Sequence, residues 1–408
     1  MISKLTPAKR SALTDISNQI DAKRWSKFSP EHWFPLSPVT ESTNVPMLPP
    51  EYCTQNIHPA LAFYKHDLST DTMSHDQLAT LLRPENEMEL VDFLQYTGVI
   101  AKSQQCKFCG ANMKISMPDK HVYWICYRRV DGIKCNRGKF SIRYGTFFDN
   151  SNLTVQNILW IVWHFVHHLT ELQCKEYTKI GQNNKKTVVN WYRKCRSITN
   201  NWIRKYPPIL GGFGKIVEMD ESHFAGAPKY GKGRRLGENA WAETYKWTFG
   251  LTERGSFDCV LETVDAGRSR KTLIPIINKH CADGTVFCSD SWKAYYKLPE
   301  HLEIEDVLYF PVNHTNNYVD PITGAHTQTI EGLWRHCKEH LPSYGMKPVD
   351  LQEYLGSFMW IRYCKQRKLD MFMEMMKCIS VELPPFQSSL PIGTCVKTTE
   401  DMKDPEFV

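Results

Sequence analysis

Three acidic residues stand at places where divalent cations are commonly held. Asp220 closes the apolar run Ile216-Val217-Glu218-Met219, and Asp290 closes Thr285-Val286-Phe287-Cys288-Ser289. A strand fixes such a carboxylate while its head escapes the core. Glu331 lies in Thr327-Gln328-Thr329-Ile330-Glu331-Gly332-Leu333-Trp334-Arg335, which reads as a helix with Ile330, Leu333, Trp334, Cys337 and Leu341 on its apolar face. Glu331 sits at the edge of that face, placed to lean over a sheet. Two acids from adjacent strands and one from a helix can hold a pair of Mg2+ or Mn2+ ions about 4 Å apart, the arrangement that stabilises the attacking and leaving oxygens of phosphoryl transfer. Carboxylate oxygens suit these ions rather than zinc. Spacing alone leaves a second reading open, in which all three are ordinary strand-end and surface acids.

Sulfur offers a second site. Cys106-Lys107-Phe108-Cys109 is a Cys-x2-Cys knuckle, followed by Cys126 and Cys135 with eight residues between them. A knuckle places two thiolates on one turn, and two more from a hairpin complete a tetrahedral Zn2+ site. Trp124 and the turn residues around Cys135 fit short strands, and in so small a ribbon the metal would supply much of the folding energy. The alternative is a set of unrelated core cysteines. Cys174, Cys195, Cys259 and Cys337 sit in apolar patterns and read as core. The chain has 14 cysteines, but Met1-Ile2-Ser3-Lys4-Leu5-Thr6-Pro7 has no apolar run of a signal peptide. Its most apolar stretch, Ile158 to Val166, is far shorter than the roughly 20 residues of a membrane span. An intracellular chain with reduced thiols and no membrane segment is expected, which turns the cysteines toward metal or core rather than disulfides.

The charge is mild, 50 Lys and Arg against 44 Asp and Glu for a net +6, and by itself does not establish a polyanionic partner. Its placement says more. Glu171 to Arg204 reads as two helices around a Gly181-Gln182-Asn183-Asn184 turn. The second opens near Lys185 and Lys186 and carries Trp191, Arg193, Lys194 and Arg196. This is either a helix-turn-helix reading DNA or a helical hairpin that only packs. Lys229, Lys232, Arg234 and Arg235 in a glycine-rich loop either grip DNA phosphates or form a solvated loop. His164, His167 and His168, on the apolar helix Leu153 to Leu169, read as packing or hydrogen-bonded residues.

These sites need elements to hold them. A chain of 408 residues exceeds one ordinary domain. Residues 1–98 read as an N-terminal region, extended at first and then helical from Asp76 to Tyr96. Residues 99–150 read as the zinc-ribbon-like domain and 151–210 as the helical DNA-binding region. Residues 211–380 read as the catalytic domain, opening after Pro207-Pro208 and Gly211-Gly212, and 381–408 as a polar tail. Strands are expected at Ile216 to Met219, Trp247 to Thr252, Phe257 to Val264 and Thr285 to Cys288, with a helix from Lys271 to His280 and further helices from Thr327 to Ile379. That order is an α/β fold with a mixed sheet.

The words around the acids carry a resemblance. They are Val217-Glu218-Met219-Asp220-Glu221-Ser222-His223-Phe224, Phe249-Gly250-Leu251-Thr252-Glu253-Arg254, Ser289-Asp290-Ser291-Trp292-Lys293-Ala294-Tyr295, Val312-Asn313-His314-Thr315 and Tyr318 through Trp334. In this order, over roughly residues 100 to 365, they resemble the Merlin superfamily of eukaryotic DNA transposases and its bacterial insertion-sequence relatives. The resemblance implies a ribonuclease-H-like core preceded by a zinc ribbon. Asp220 and Asp290 match the two catalytic Asp residues and Glu331 the third acidic position. Some bacterial relatives carry Asn three residues before this Glu, where this chain has Gln328, a weak metal ligand, so the third role is assigned to Glu331. Mg2+-dependent cleavage at transposon ends and joining of the freed 3′-hydroxyl to target DNA are implied, with double-stranded DNA as partner, a homo-oligomer to pair two ends, and the nucleus as location. His223, Asn313, His314 and His326 either position phosphates near the metals or structure their loops. A domesticated DNA-binding descendant that no longer cuts, and a zinc-ribbon transcriptional or scaffold protein, are the alternatives.

Overall fold

The structure is a computed structural model. It describes residues 72–386 apart from 119–120, 131–132, 136–137, 182–185, 225–245, 265–266, 313–318, 321–322 and 343–345. These residues fall into two compact units, one of 72–198 with 369–386, the other of 199–368.

The first unit opens with α1 (His75–Leu81), started by a Ser74 and Gln77 capping box, and α2 (Glu87–Tyr96). The sequence reads as one helix here. It is two, separated by a 3-10 turn at Pro84–Asn86, because Pro84 has no N–H to continue an α-helical ladder. Next come β1 (Lys114–Ser116), β2 (Tyr123–Ile125), the hairpin β3 (Arg129–Val130) and β4 (Ile133–Lys134), and β5 (Lys139–Ser141). Strands β1, β2 and β5 form an antiparallel sheet with β2 in the middle. Helices α3 (Val155–Val166) and α4 (Glu171–Thr178) follow, each capped by a threonine, and then the 20-residue α5 (Lys186–Lys205). His164 and His167 bond by Nδ1 to the carbonyls four residues back, at 2.6 and 2.8 Å.

The second unit is built on β7 (Ile216–Phe224), β8 (Lys246–Glu253), β9 (Cys259–Val264), β11 (Val286–Asp290) and β12 (Leu308–Val312). The minor strands β6 (Leu210–Gly211) and β10 (Cys281–Ala282) pair beside it. In the main sheet the order is β12-β11-β7-β8-β9. The first three strands in sequence run antiparallel, and β11 and β12 lie parallel to β7. This mixed sheet is consistent with the ribonuclease-H-like core that the resemblance implies. Helix α6 (Arg270–His280) packs Leu273 and Ile277 on one face, against Val217, Met219, Phe249, Leu251 and Phe287. The other face carries Ile216, Val286, Cys288, Leu308 and Phe310, and α7 (Gln328–His340) lies on this side. Helix α8 (Leu351–Gln366) covers the β9 edge: Gln352 accepts the Thr263 N–H at 2.9 Å and donates to the Leu261 carbonyl at 3.3 Å, and Met359 Sδ takes the Leu261 N–H at 3.0 Å. At the opposite edge, β12 carries an exposed Pro311. Helix α9 (Met371–Glu382) returns to the first unit, where Phe372 meets Trp163 of α3 at 5.4 Å.

Two strand readings are corrected. The first strand does not end at Asp220 but runs on to Phe224, because β8 pairs with it from Val217 to Phe224 and its polar residues find partners. The fifth strand, β12, escapes a pattern reading because proline is tolerated in a strand only where no ladder bond is needed, as at an edge. Among the described residues no helix is long and apolar enough to cross a membrane.

Candidate metal centres

Asp220 lies mid-strand on β7, the strand flanked by both β11 and β8. The β7–β11 ladder is registered through Cys288↔Glu218. Two residues further along both strands, Asp290 stands level with Asp220 and on the same face. Neighbouring strands are about 4.8 Å apart. Glu331 comes from α7 on that side. One helical turn on from it, Trp334 donates Nε1–H to Asp220 Oδ2 at 2.9 Å. So close a helix needs the glycine opposite Asp220: a Cβ on Gly250 would sit 2.5 Å from the Trp334 ring. Burial raises the Asp220 carboxyl above its usual range. The Trp334 and Glu221 N–H bonds oppose this, while the charges of Asp290 and Glu331 push it further up. Asp220 therefore lies within electrostatic reach of both other acids, and such a gathering of negative charge suits a cation. Asp290 Oδ1 accepts from Trp292 N–H at 3.1 Å, and the exposed Glu331 accepts from Thr327 Oγ1–H at 3.2 Å. The three carboxylates do not all close to within 4.8 Å of one another, so no single ion is enclosed by all three as they stand; a pair of ions spans a wider donor set.

Sequence reasoning missed Glu218. It is 0% exposed, on the face of β7 that meets α7. Its oxygens accept from Thr329 N–H and Oγ1–H, both at 2.8 Å, and from Ile330 N–H at 3.0 Å. Arg254 pairs with it at 2.7 Å. The residue preceding α7, Thr327, makes no side-chain cap, so a carboxylate from the sheet caps the helix that carries Glu331. The signal in the sequence was an acid inside an apolar strand, which must have a buried partner. His326, expected near the metals, lies beside this pair, its Nδ1 3.4 Å from Glu218. Burial, then the Arg254 charge, lowers its pKa. On the opposite face of β7, Glu221 bonds to the Tyr295 hydroxyl and lies 3.7 Å from Arg268; burial pushes its carboxyl up to about 7. His223 packs on Trp247 at 4.8 Å. Gln328 opens α7 and is exposed. Asn313 and His314 lie outside the described residues.

The four cysteines converge. Sγ atoms of Cys106, Cys109, Cys126 and Cys135 all lie within 4.8 Å of one another, the only such set of candidate ligands among the described residues. Cys106 and Cys135 are 3.6 Å apart and Cys109 and Cys126 3.5 Å, near the ~3.8 Å edge of a tetrahedron with Zn–S bonds of about 2.3 Å. The knuckle is shaped by Gly110 N–H donating to the Cys106 carbonyl at 2.8 Å, with Gly110 at φ 68°. Gly138 leaves the space: a Cβ there would meet Cys106 Sγ at 2.7 Å. Burial, then the neighbouring thiols, push Cys135 up to about 12, so the thiols resist ionising together unless a cation neutralises them. The cluster is compatible with zinc. Cys174, Cys195, Cys259 and Cys337 are buried, as their apolar patterns predict.

On α5, Lys186 and Arg193 are exposed. Lys194 turns inward, its ammonium donating to the Phe147 carbonyl at 2.6 Å and lying 4.6 Å over that ring. Burial lowers its pKa. Helix α4 precedes α5, and Tyr192 of α5 donates to the Leu169 carbonyl at 2.9 Å. Lys185 and the loop residues Lys229, Lys232, Arg234 and Arg235 lie outside the described residues.

Residues 209–362 match the family model of the ISXO2-like transposase domain. The match spans the main sheet, α6, α7 and most of α8, with all three acids. It supports an insertion-sequence transposase family; such a domain suggests a DNA transposase, a nuclease and transferase class for which divalent metal is implied. No curated protein matches the chain.

Proposed function

We propose that this chain is a cut-and-paste DNA transposase of the Merlin superfamily, in which Asp220, Asp290 and Glu331 hold Mg2+ or Mn2+. The observation that carries this reading is the placement of two aspartates level on neighbouring strands, beneath a helix that brings a glutamate, inside the stretch that matches a transposase domain. When bound, such ions supply Lewis-acid stabilisation of the attacking and leaving oxygens of a phosphodiester. The chain's own part is positioning. Trp334 fixes one oxygen of Asp220. The Trp292 N–H orients Asp290, and Glu218 holds the first turn of α7, the turn that carries Glu331. Water, and later a 3′-hydroxyl, would be the nucleophile, with no covalent enzyme intermediate.

In this reading Cys106, Cys109, Cys126 and Cys135 bind Zn2+ in a ribbon. Helices α4 and α5 act as a helix-turn-helix that recognises terminal inverted repeats, with Lys186 and Arg193 facing DNA. Lys185 and the basic loop of Lys229, Lys232, Arg234 and Arg235 would add phosphate contacts. The protein works in the nucleus as a homo-oligomer that pairs two DNA ends. The test is Mg2+-dependent cleavage of DNA carrying the inverted repeats that flank the gene. Asp290→Ala and Asp220→Ala should each abolish the product. Wild-type protein that binds such DNA and leaves it uncut in Mg2+ and in Mn2+ would overturn the catalytic reading in favour of a domesticated DNA-binding protein.

A further inference from the structure

Beyond the acids, the second unit holds an open cavity of about 720 Å³ between the start of α6 and the 3-10 turn Lys293–Tyr295 that follows β11. Its wall carries Arg268, Arg270, Lys271, Lys293 and His301, and no carboxylate lines it. Arg270 is locked in place by the carbonyls of Ala294 at 3.1 Å and Tyr296 at 2.8 Å, and by His301 at 2.6 Å. Those partners fix its geometry without cancelling its charge. Arg268 lies between two indoles, 3.9 Å from Trp247 and 4.5 Å from Trp292, with Glu221 behind it at 3.7 Å, so the uncompensated charge of the wall rests on Arg270, Lys271 and Lys293. Lys271 and Lys293 are exposed, and among the described residues neither is paired with an acid. Like charges gathered around one cavity repel, each pair by about 0.5 kcal/mol at ~8 Å in water. An anion relieves that repulsion.

The cavity adjoins the proposed active site. Trp292 and Lys293 follow Asp290 directly in the turn, and the Trp292 N–H that bonds Asp290 belongs to the same wall. The cavity opens on the α6 side of the sheet and the acids on the α7 side, both at the end where β11 finishes, so a DNA strand whose phosphodiester rests at the acids would reach this wall by passing over that end of the sheet. We propose that the cavity binds backbone phosphates of that strand, with Lys271 and Lys293 as mobile contacts and Arg268 and Arg270 as fixed ones. This rests on the reading of the acids as a DNA-cutting site and adds a phosphate subsite to it.

The test is fluorescence anisotropy with the full chain and a labelled 30-base-pair duplex, without divalent cations, titrated at several NaCl concentrations. Each phosphate contact contributes about 0.9 to the slope of log K against log salt. The double variant Lys271→Gln/Lys293→Gln should flatten that slope by about 2 and bind at least ~10-fold more weakly at ~0.1 M salt. Lys297→Gln, which removes a lysine already paired with Glu300 at 3.0 Å, should leave both unchanged. Inorganic phosphate should displace the duplex no better than NaCl of equal ionic strength. A double variant with wild-type slope and affinity overturns the proposal. So does displacement by phosphate that the double variant has lost, which would assign the cavity to a small anion. Cleavage is not read in this assay, so a flattened slope stands even for a chain that cuts nothing, and an unchanged slope leaves the cleavage test untouched.

Discussion

Removing the Glu218 carboxylate takes away the cap that ties the first turn of the helix carrying Glu331 to the sheet that carries the other two acids. In Glu218→Ala, Arg254 loses its 2.7 Å partner with only 16% of its side chain exposed, and the Thr329 and Ile330 amides lose their acceptor. Breaking a buried ion pair from one side costs about 3–5 kcal/mol, and a lost helix cap about 1 more. In a unit of this size each kcal/mol is worth roughly 2–4 °C in Tm, so a fall of about 8–24 °C is expected in thermal denaturation followed by circular dichroism. Glu218→Gln keeps one acceptor oxygen but turns an amide donor toward other donors, and should fall between the two. It should also cut DNA more slowly than wild type at temperatures where it is fully folded, because Glu331 is less well held. A Glu218→Ala protein that melts within about 2 °C of wild type would refute the buried-cap account.

The sulfur cluster should bind about one zinc per chain by elemental analysis. Cys109→Ser should lose most of it, and chelation should reduce the circular dichroism signal of the first unit. Gly250→Ala should destabilise by about 1–3 kcal/mol through overpacking against Trp334, with a change in tryptophan fluorescence; an unshifted melt would mean that the indole is not wedged there. Glu221, whose carboxyl is pushed up to about 7 by burial, should make stability pH-dependent in metal-free buffer. Its neutral form is favoured in the fold, so its contribution is complete below about pH 4.5 and is lost as pH rises through 7, a change of at most roughly 3 kcal/mol. Urea denaturation across that window should show the slope, and Glu221→Gln should flatten it.

The cysteine knuckle and the acids at the ends of apolar runs were legible because metal ligation demands particular side chains at short spacings. The α/β order was legible because β-branched runs and amphipathic helices repeat with different periods. What escaped was long-range satisfaction. Glu218 sits inside an apolar run and Glu221 just past its expected end, yet each is matched by residues far along the chain, Arg254 and Thr329 for one, Tyr295 and Arg268 for the other. Lys194 reads as one of several cations on a helix, and only folding reveals that Phe147 takes its ammonium inward. Gly250 reads as an ordinary strand glycine until the indole of Trp334, far along the chain, comes to lie on it.

Both margins of the main sheet are closed to further strands. On β9 the outward amides of Leu261 and Thr263 are spent on Met359 and Gln352, and on β12 the exposed Pro311 offers no N–H at mid-strand. Sheet-to-sheet pairing between copies of this unit is therefore disfavoured at both margins. If, as proposed, two copies meet at a pair of DNA ends, they would do so through side-chain surfaces or through the nucleic acid itself, and assembly could then depend on whether substrate is present.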